Sequence, residues 1–157
     1  MKKIILLFAL IVSGIVYSQF TISDSSKDWI RIGNLYHYIS LNSKNDKAKF
    51  IYIDQNSTNG NITSKYEFTF STEYDTLNKL YNLIKEHFVE KKIERLTLEF
   101  PEGNLYLNFI KPLGSYTLIM EFDNKDGILE QNSATVRKSF PLNMKSVDSI
   151  FGNSKKK

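Results

Sequence analysis

The chain has 157 residues, a formal net charge of +4 and no cysteine. Without cysteine it can form no disulfide, cysteine nucleophile or thiolate metal site. A chain of this length can bury roughly two thirds of its unfolded surface, so it can fold as one domain without covalent cross-links.

The first eighteen residues have the organisation of a secretory signal peptide. Two lysines precede an apolar run, residues 4–16, and a small residue precedes the predicted cleavage site. The run is too short for a membrane-spanning helix, which needs about 20 apolar residues. We therefore predict that residues 1–18 are removed and that the mature chain begins at Gln19. Because there is no cysteine at the cut, we expect no lipid anchor and a soluble mature protein.

The cleavage region also indicates where the protein works. The sequence Val16-Tyr17-Ser18-Gln19 resembles the end of signal peptides in Bacteroidetes-type bacteria, where glutamine often follows the cut. The resemblance covers about twenty residues and concerns export alone. It implies an exported bacterial protein, located in the periplasm or outside the cell.

The positive charge of the chain is concentrated at its ends. Lys2 and Lys3 leave with the signal peptide, and three lysines lie in a basic tail, residues 153–157. The body between these segments therefore carries a charge close to zero. It also lacks a basic stripe interleaved with aromatic residues, so we predict no nucleic-acid partner.

The first half of the predicted domain (residues 19–152) contains three strand-like segments. Residues 29–41 alternate as one strand, a polar turn follows at residues 42–46, and residues 48–53 form the second strand. Residues 54–64 are a long polar loop of turn-forming residues. Residues 66–70 alternate aromatic and polar side chains, which predicts a third, half-buried strand.

One long amphipathic helix follows these strands. Its apolar stripe has spacings of three and four and consists of Tyr74, Leu77, Tyr81, Ile84 and Phe88. Thr72, followed three residues later by Asp75, predicts a capping box at the helix start. The stripe predicts that this helix covers the apolar face of a sheet.

The second half predicts a β-meander and a short helix. Residues 96–100, 105–109 and 118–122 alternate apolar and polar side chains, and turns at residues 101–104 and 111–114 separate them. A last strand is predicted at residues 135–140. Pro141 then opens a short helix that Gly152 closes.

The element order is therefore βββ-α-ββββ-α. This order predicts the α+β class, with an antiparallel β-meander sheet packed by one long amphipathic helix and a short C-terminal helix. A duplicated βββα unit is left open, because the two halves share few residues.

The sequence predicts neither a metal site nor a cofactor. Its two histidines are His37, on a strand face with Leu35 and Ile39, and His87, on the long helix. We expect His37 at the edge of the core and His87 in a solvated or flanking position, because a metal site would need further ligands beside them. We also expect a plain turn at residues 123–127, because a calcium loop there would lack acidic residues at its first and last positions.

One carboxylate pair could perform catalysis. If the strands pair as their alternation suggests, Glu99, Tyr106 and Glu121 form one row across three strands. The two glutamate backbones would then lie roughly 10 Å apart, near the upper end of the separation used by inverting glycosidases. The second hypothesis is therefore a small carboxylate-based hydrolase that acts on envelope glycans, against the alternative of an ordinary solvated sheet face.

Three tyrosines could form a binding surface. Tyr36, Tyr38 and Tyr106 lie on predicted sheet faces away from the main apolar rows, where tyrosine is an effective binding anchor. The alternative is that they form a second core layer. The first hypothesis is accordingly an exported, non-catalytic module that binds a protein or an envelope component, with an immunity-type inhibitor as a special case.

Overall fold

The computed structural model describes residues 29–56, 65–124 and 136–154. The predicted signal peptide and most of the predicted polar loop lie outside these ranges. Within them the chain forms eight β-strands and two α-helices. The strands are β1 (Ile30–Leu35), β2 (Ile39–Lys44), β3 (Lys47–Ile53), β4 (Lys65–Ser71), β5 (Arg95–Phe100), β6 (Gly103–Ile110), β7 (Thr117–Asn124) and β8 (Arg137–Lys138), and the helices are α1 (Thr76–Glu90) and α2 (Met144–Ile150).

The strands form two antiparallel sheets. The first sheet has the order β1-β2-β3-β4, and the second has the order β5-β6-β7-β8. Each sheet is followed by one helix, α1 after the first and α2 after the second. The predicted α+β class is confirmed, and each half of the chain has the element order ββββα.

The prediction of one strand over residues 29–41 is wrong. The chain reverses at Tyr36, which has a positive φ of 48°, and the Tyr38 N–H donates to the Leu35 carbonyl oxygen at 3.1 Å. Residues 42–44 then belong to β2, and the next turn is centred on Asn45. The alternation hides the first turn because a tyrosine takes a left-handed conformation that is usual for glycine or asparagine.

The predicted capping box at the start of α1 is also wrong. Tyr74 and Asp75 both have positive φ values, in a 3-10 turn that precedes the helix, and Thr72 makes no capping hydrogen bond. The Asp75 carboxylate instead accepts a hydrogen bond from the side chain of Asn78 at 2.6 Å. The left-handed pair turns the chain sharply, so the helix begins at Thr76 and Tyr74 is left exposed.

Aromatic side chains join the two sheets. The ring of Phe122, on β7, stacks on Tyr52 at 4.0 Å and lies 5.7 Å from Phe50 and 5.6 Å from Phe68. All four side chains are almost completely buried. The inner faces of both sheets therefore share one core, with Phe122 at its centre.

The two helices cover different parts of this core. On α1, His87 stacks on Phe109 of the second sheet at 4.8 Å. Helix α2 begins after Asn143, whose side chain accepts a hydrogen bond from the Ser146 N–H, and Gly152, with φ 72°, follows its end. It packs on β1, where the Ser149 hydroxyl donates to the Asn34 carbonyl oxygen at 2.7 Å. The C-terminal helix therefore covers the first strand of the other half.

Burial gives Tyr52 a stability contribution that depends on pH. Burial raises the pKa of its hydroxyl far above the ordinary value of 10. An unfolded tyrosine ionises near pH 10, whereas folded Tyr52 keeps its proton, so alkaline solution favours the unfolded chain. The contribution of Tyr52 to the free energy of unfolding is therefore complete below about pH 10 and is lost as the pH rises above this value.

We therefore expect Tyr52→Phe to lose less stability than the wild type between about pH 9 and 11. Urea unfolding across this range measures the difference in slope. Tyr74→Phe, which removes a hydroxyl from an exposed ring, is the matched control and should follow the wild type. Equal slopes for the wild type and Tyr52→Phe would contradict the expectation.

Candidate binding face

The first sheet has a face that points away from the core. Across β2, β3 and β4, Leu41, Phe50 and Phe68 are paired and buried. The neighbouring residues along each strand must then point outward, because side chains alternate between the two faces. We call this surface the outer face and define it as Trp29, Arg31, Asn34, Ser40, Asn42, Lys49, Ile51, Lys65 and Glu67, together with Tyr36 in the adjoining turn.

A fixed cluster occupies the centre of the outer face. The ammonium group of Lys49 lies 4.6 Å from the centroid of the Trp29 ring and 3.0 Å from a Glu67 carboxylate oxygen. The contact with the indole is a cation–π interaction, and the contact with Glu67 is an ion pair. Lys49 is mostly buried between these partners. The cluster holds the Trp29 ring against the sheet.

The outer face carries more positive than negative charge. Arg31, Lys49 and Lys65 oppose one carboxylate, that of Glu67. In the part of the chain that the structure describes, the side chains of Arg31 and Lys65 make no hydrogen bond or ion pair, and both residues are exposed. Their charges are therefore available to an anionic group in solution.

The Tyr36 turn extends the outer face at one end. A groove lined by Trp29, Lys49 and Glu67 shares Arg31 and Ile51 with a smaller cavity. That cavity is lined in addition by Asn34, Tyr36, His37, Ile39, Ser40, Tyr52 and Lys65. The surface is therefore continuous from the tryptophan to the tyrosine.

Of the three tyrosines predicted to bind, the structure brings two together. Tyr36 is 79% exposed, and its ring lies 6.4 Å from that of Tyr38. Tyr38 is half-buried and packs against Phe140 at 4.7 Å, so it supports the turn. Tyr106 belongs to the second sheet, where its ring lies 4.1 Å beneath the guanidinium group of Arg95. Tyr106 is therefore not part of the outer face.

The predicted row of Glu99, Tyr106 and Glu121 is wrong in its register. Tyr106 is paired with Thr97 on one side and with Glu121 on the other, whereas Glu99 is paired with Asn104. The β5–β6 hairpin turns over two residues instead of the predicted four, because Gly103 already belongs to β6. A Cβ atom at Gly103 would lie 2.3 Å from the Asp123 carbonyl oxygen, so only glycine fits there.

The two glutamates also have different surroundings. Glu121 is 5% exposed, and its carboxylate oxygens contact the Arg95 guanidinium group at 2.8 Å and the Lys138 ammonium group at 3.1 Å. Glu99 is exposed. Because the buried carboxylate already has two cationic partners, the geometry adds no support to the hydrolase hypothesis, which stays a prediction.

Both histidines lie elsewhere than predicted. His37 is exposed in the Tyr36 turn instead of at the core edge, because the chain reverses there. His87 is buried: its Nδ1 donates to the Leu83 carbonyl oxygen at 2.8 Å, and its Nε2 lies 3.0 Å from a Glu94 carboxylate oxygen. Among the described residues, no group of three or more histidine, aspartate or glutamate side chains could hold a metal ion.

Comparison of the chain with protein-family models, with curated proteins and with solved structures finds no match. Over residues 29–56, 65–124 and 136–154, neither helix is long and apolar enough to cross a membrane.

Trp29 and Arg31 are functional candidates that the sequence alone does not predict. Both precede the Tyr36 turn, and their position beside Lys49 depends on the pairing of β1 with β2. If residues 29–41 form one strand, as the sequence predicts, no row of the sheet places Trp29 and Arg31 beside Lys49. The sequence signal that could have found them is Gly33-Asn34, two turn-forming residues just before the Tyr36 turn.

Proposed function

We propose that the protein is an exported, non-catalytic binding module whose outer face binds an acidic surface of a partner protein. One observation carries the proposal: Trp29, Arg31 and Tyr36 lie on one continuous, solvent-facing surface. Tryptophan, arginine and tyrosine are the residue types that most often dominate binding energy at protein interfaces.

The charge of the outer face supports an acidic partner. Exposed Arg31 and Lys65 lie at its margins, and Lys49 is already paired with Glu67. Unpaired cations accelerate the approach of an oppositely charged surface, and the effect weakens as salt is added. Binding at this face should therefore be sensitive to ionic strength.

The outer face is largely ordered before it binds. Trp29 rests on Lys49, and the sheet beneath it is anchored by the buried aromatic core. A preformed surface loses little side-chain freedom on binding, so more of its contact energy appears as affinity.

Export in this proposal rests on the pattern of residues 1–18. An exported binding module meets its partner in the periplasm or outside the cell. An immunity-type inhibitor is a special case, in which the acidic surface belongs to a toxin.

We expect Tyr36→Ala to reduce partner recovery about tenfold or more, because an exposed tyrosine anchor contributes roughly 2 kcal/mol or more. The mature chain is immobilised, and proteins captured from the envelope of the exporting cell are quantified by mass spectrometry. Arg31→Glu should reduce recovery as strongly, and added salt should release the partner.

Tyr74→Ala is the matched control. Tyr74 is 83% exposed and has a φ of 58°, close to that of Tyr36, but it lies before α1, outside the outer face. The partner should be recovered with this variant as with the wild type. Equal recovery with Tyr36→Ala and Tyr74→Ala would contradict the proposed site.

The hydrolase alternative has its own test. If an envelope-glycan hydrolase activity is detected, it should fall in Glu99→Gln and Glu121→Gln. Activity that both substitutions leave unchanged would remove the hypothesis.

A further inference from the structure

Strand β5 is an open edge of the second sheet. It pairs with β6 on one side, and no strand in the described part of the chain pairs with its other side. The inward side chains of β6 are completely buried, whereas those of β5 are only half-buried. These inward residues are Leu105, Leu107 and Phe109 on β6, and Leu96, Leu98 and Phe100 on β5. The apolar row of β5 is therefore incompletely covered.

The peptide groups on the open side of β5 can be identified. The Phe109 N–H donates to the Glu94 carbonyl oxygen at 2.9 Å, so residues 94, 96, 98 and 100 are the ones bonded to β6. The peptide groups of Arg95, Thr97 and Glu99 must then point away from β6. These three residues present donors and acceptors to an added strand.

An apolar groove runs beside this edge. It lies between α1 and β5, and its apolar lining is Leu80, Leu83, Leu98 and Phe100. An open strand edge next to an apolar groove is the arrangement that binds an additional strand, with peptide groups supplying affinity and side chains supplying selectivity.

We propose that the strand added here is β5 of a second copy of this chain, antiparallel across a two-fold axis at Thr97. Residues 95–99 read Arg-Leu-Thr-Leu-Glu, which is self-complementary in that arrangement. Arg95 lies opposite Glu99 of the second copy, and Glu99 lies opposite the second copy's Arg95. The Arg95 side chain is half-exposed, and although one of its nitrogen atoms already contacts Glu121 at 2.8 Å, its other N–H donors serve the new pair. Such opposite-charge pairs stabilise antiparallel strands, and a symmetric interface forms each of them twice.

The backbone pattern selects the same axis. A two-fold axis at Thr97 pairs each residue whose peptide groups point to the open side of β5 with a residue of the same kind in the second copy. An antiparallel ladder requires this pairing. A shift of two residues keeps this pattern but places Arg95 opposite Thr97 and removes both charge pairs. The charges therefore distinguish the proposed register from its neighbours.

The helix beside the groove has a matching charge pattern. Lys79, Leu83 and Glu86 have spacings of four and three, so they share one side of α1, and Lys79 and Leu83 line the groove. The two-fold axis makes the α1 helices of the two copies antiparallel. It therefore brings Lys79 of one copy towards the part of α1 in the other copy that carries Glu86. The helices reinforce the pairing of the strands.

The test is the oligomeric state of the mature chain, measured by sedimentation equilibrium from about 1 to 100 μM. We expect a reversible dimer. Glu99→Lys should raise its dissociation constant about tenfold or more, because the substituted side chain would face Arg95 of the other copy at both symmetric positions. Thr97→Pro should abolish the dimer, because its ring blocks the added strand without removing a hydrogen bond to β6.

Asp46→Lys is the control, because it makes the same change of charge in the exposed β2–β3 turn of the first sheet. It should dimerise as the wild type does. A single-chain mass at every concentration would overturn the proposal, as would equal dissociation constants for Glu99→Lys and Asp46→Lys. Neither result depends on the outer face of the first sheet.

Discussion

Replacing Phe122 with alanine is expected to lower the free energy of unfolding by about 3–5 kcal/mol, the usual cost of deleting a buried aromatic ring. The ring is in contact with Phe50, Tyr52 and Phe68 of the opposite sheet. None of these neighbours can fill the cavity alone, because Phe50 and Tyr52 are held in β3 and Phe68 is held in β4. The substitution therefore weakens the junction between the sheets as well as the second sheet.

Urea unfolding followed by circular dichroism measures this loss. Tyr74→Ala removes a ring of similar size from an exposed position and should change stability by less than about 1 kcal/mol. If Phe122→Ala were no more destabilising than Tyr74→Ala, the two sheets would not share the core described above.

The second large effect is expected at Gly33, where β1 meets α2. A Cβ atom there would lie 2.1 Å from the Ser149 carbonyl oxygen and 2.6 Å from the Ile150 carbonyl oxygen. Both contacts are with backbone, so the helix itself must move. Such overpacking typically costs about 1–3 kcal/mol, and we expect Gly33→Ala to cost about 3 kcal/mol because no flexible side chain can yield.

Two measurements separate this effect from general destabilisation. Urea unfolding gives the loss of stability, and hydrogen exchange should show faster exchange in α2 than in α1. Gly114→Ala is the control: no atom lies within 4 Å of its added Cβ, although its φ of 85° costs roughly 1–2 kcal/mol. A Gly33→Ala protein that is more stable than Gly114→Ala would contradict the close approach of α2 to β1.

Local alternation is enough to predict three of the four strands of the second half. The predicted strand over residues 135–140 is reduced to β8, Arg137–Lys138, and the last helix begins after Asn143 instead of at Pro141. Residues 96–100, 105–109 and 118–122 alternate strictly, and all three segments are strands in the structure.

The stripe predicts α1 but only part of its buried side, because Tyr74 lies before the helix and is exposed. Of the buried residues Leu80, Ile84 and His87, only Ile84 belongs to the predicted stripe. The pairing register of the strands is harder to predict from the sequence. Thr97 lies opposite Tyr106 where Glu99 was expected, because Gly103 shortens the hairpin by two residues.

The first half shows why the candidate site could not be predicted in full. Tyr36 itself is not a residue typical of a left-handed turn, and the only turn-forming residues beside it are Gly33 and Asn34, whose side-chain amide donates to the Tyr36 carbonyl oxygen at 2.9 Å. The outer face exists only after β1 folds back onto β2, which brings Arg31 beside Asn42. Tyr36 can be predicted as a single residue, whereas its neighbours on the face depend on tertiary pairing.

The packing of α2 on β1 has a consequence for the order of folding. The last helix covers the first strand, and Gly152 lies against Ile32, so both ends of the described chain meet. Synthesis proceeds from the N-terminus at about 5–20 residues per second, and β1 has no cover until α2 is complete. Contacts between such distant segments slow folding and prolong the exposure of aromatic strands. This topology therefore makes the unfinished chain a candidate for chaperone protection.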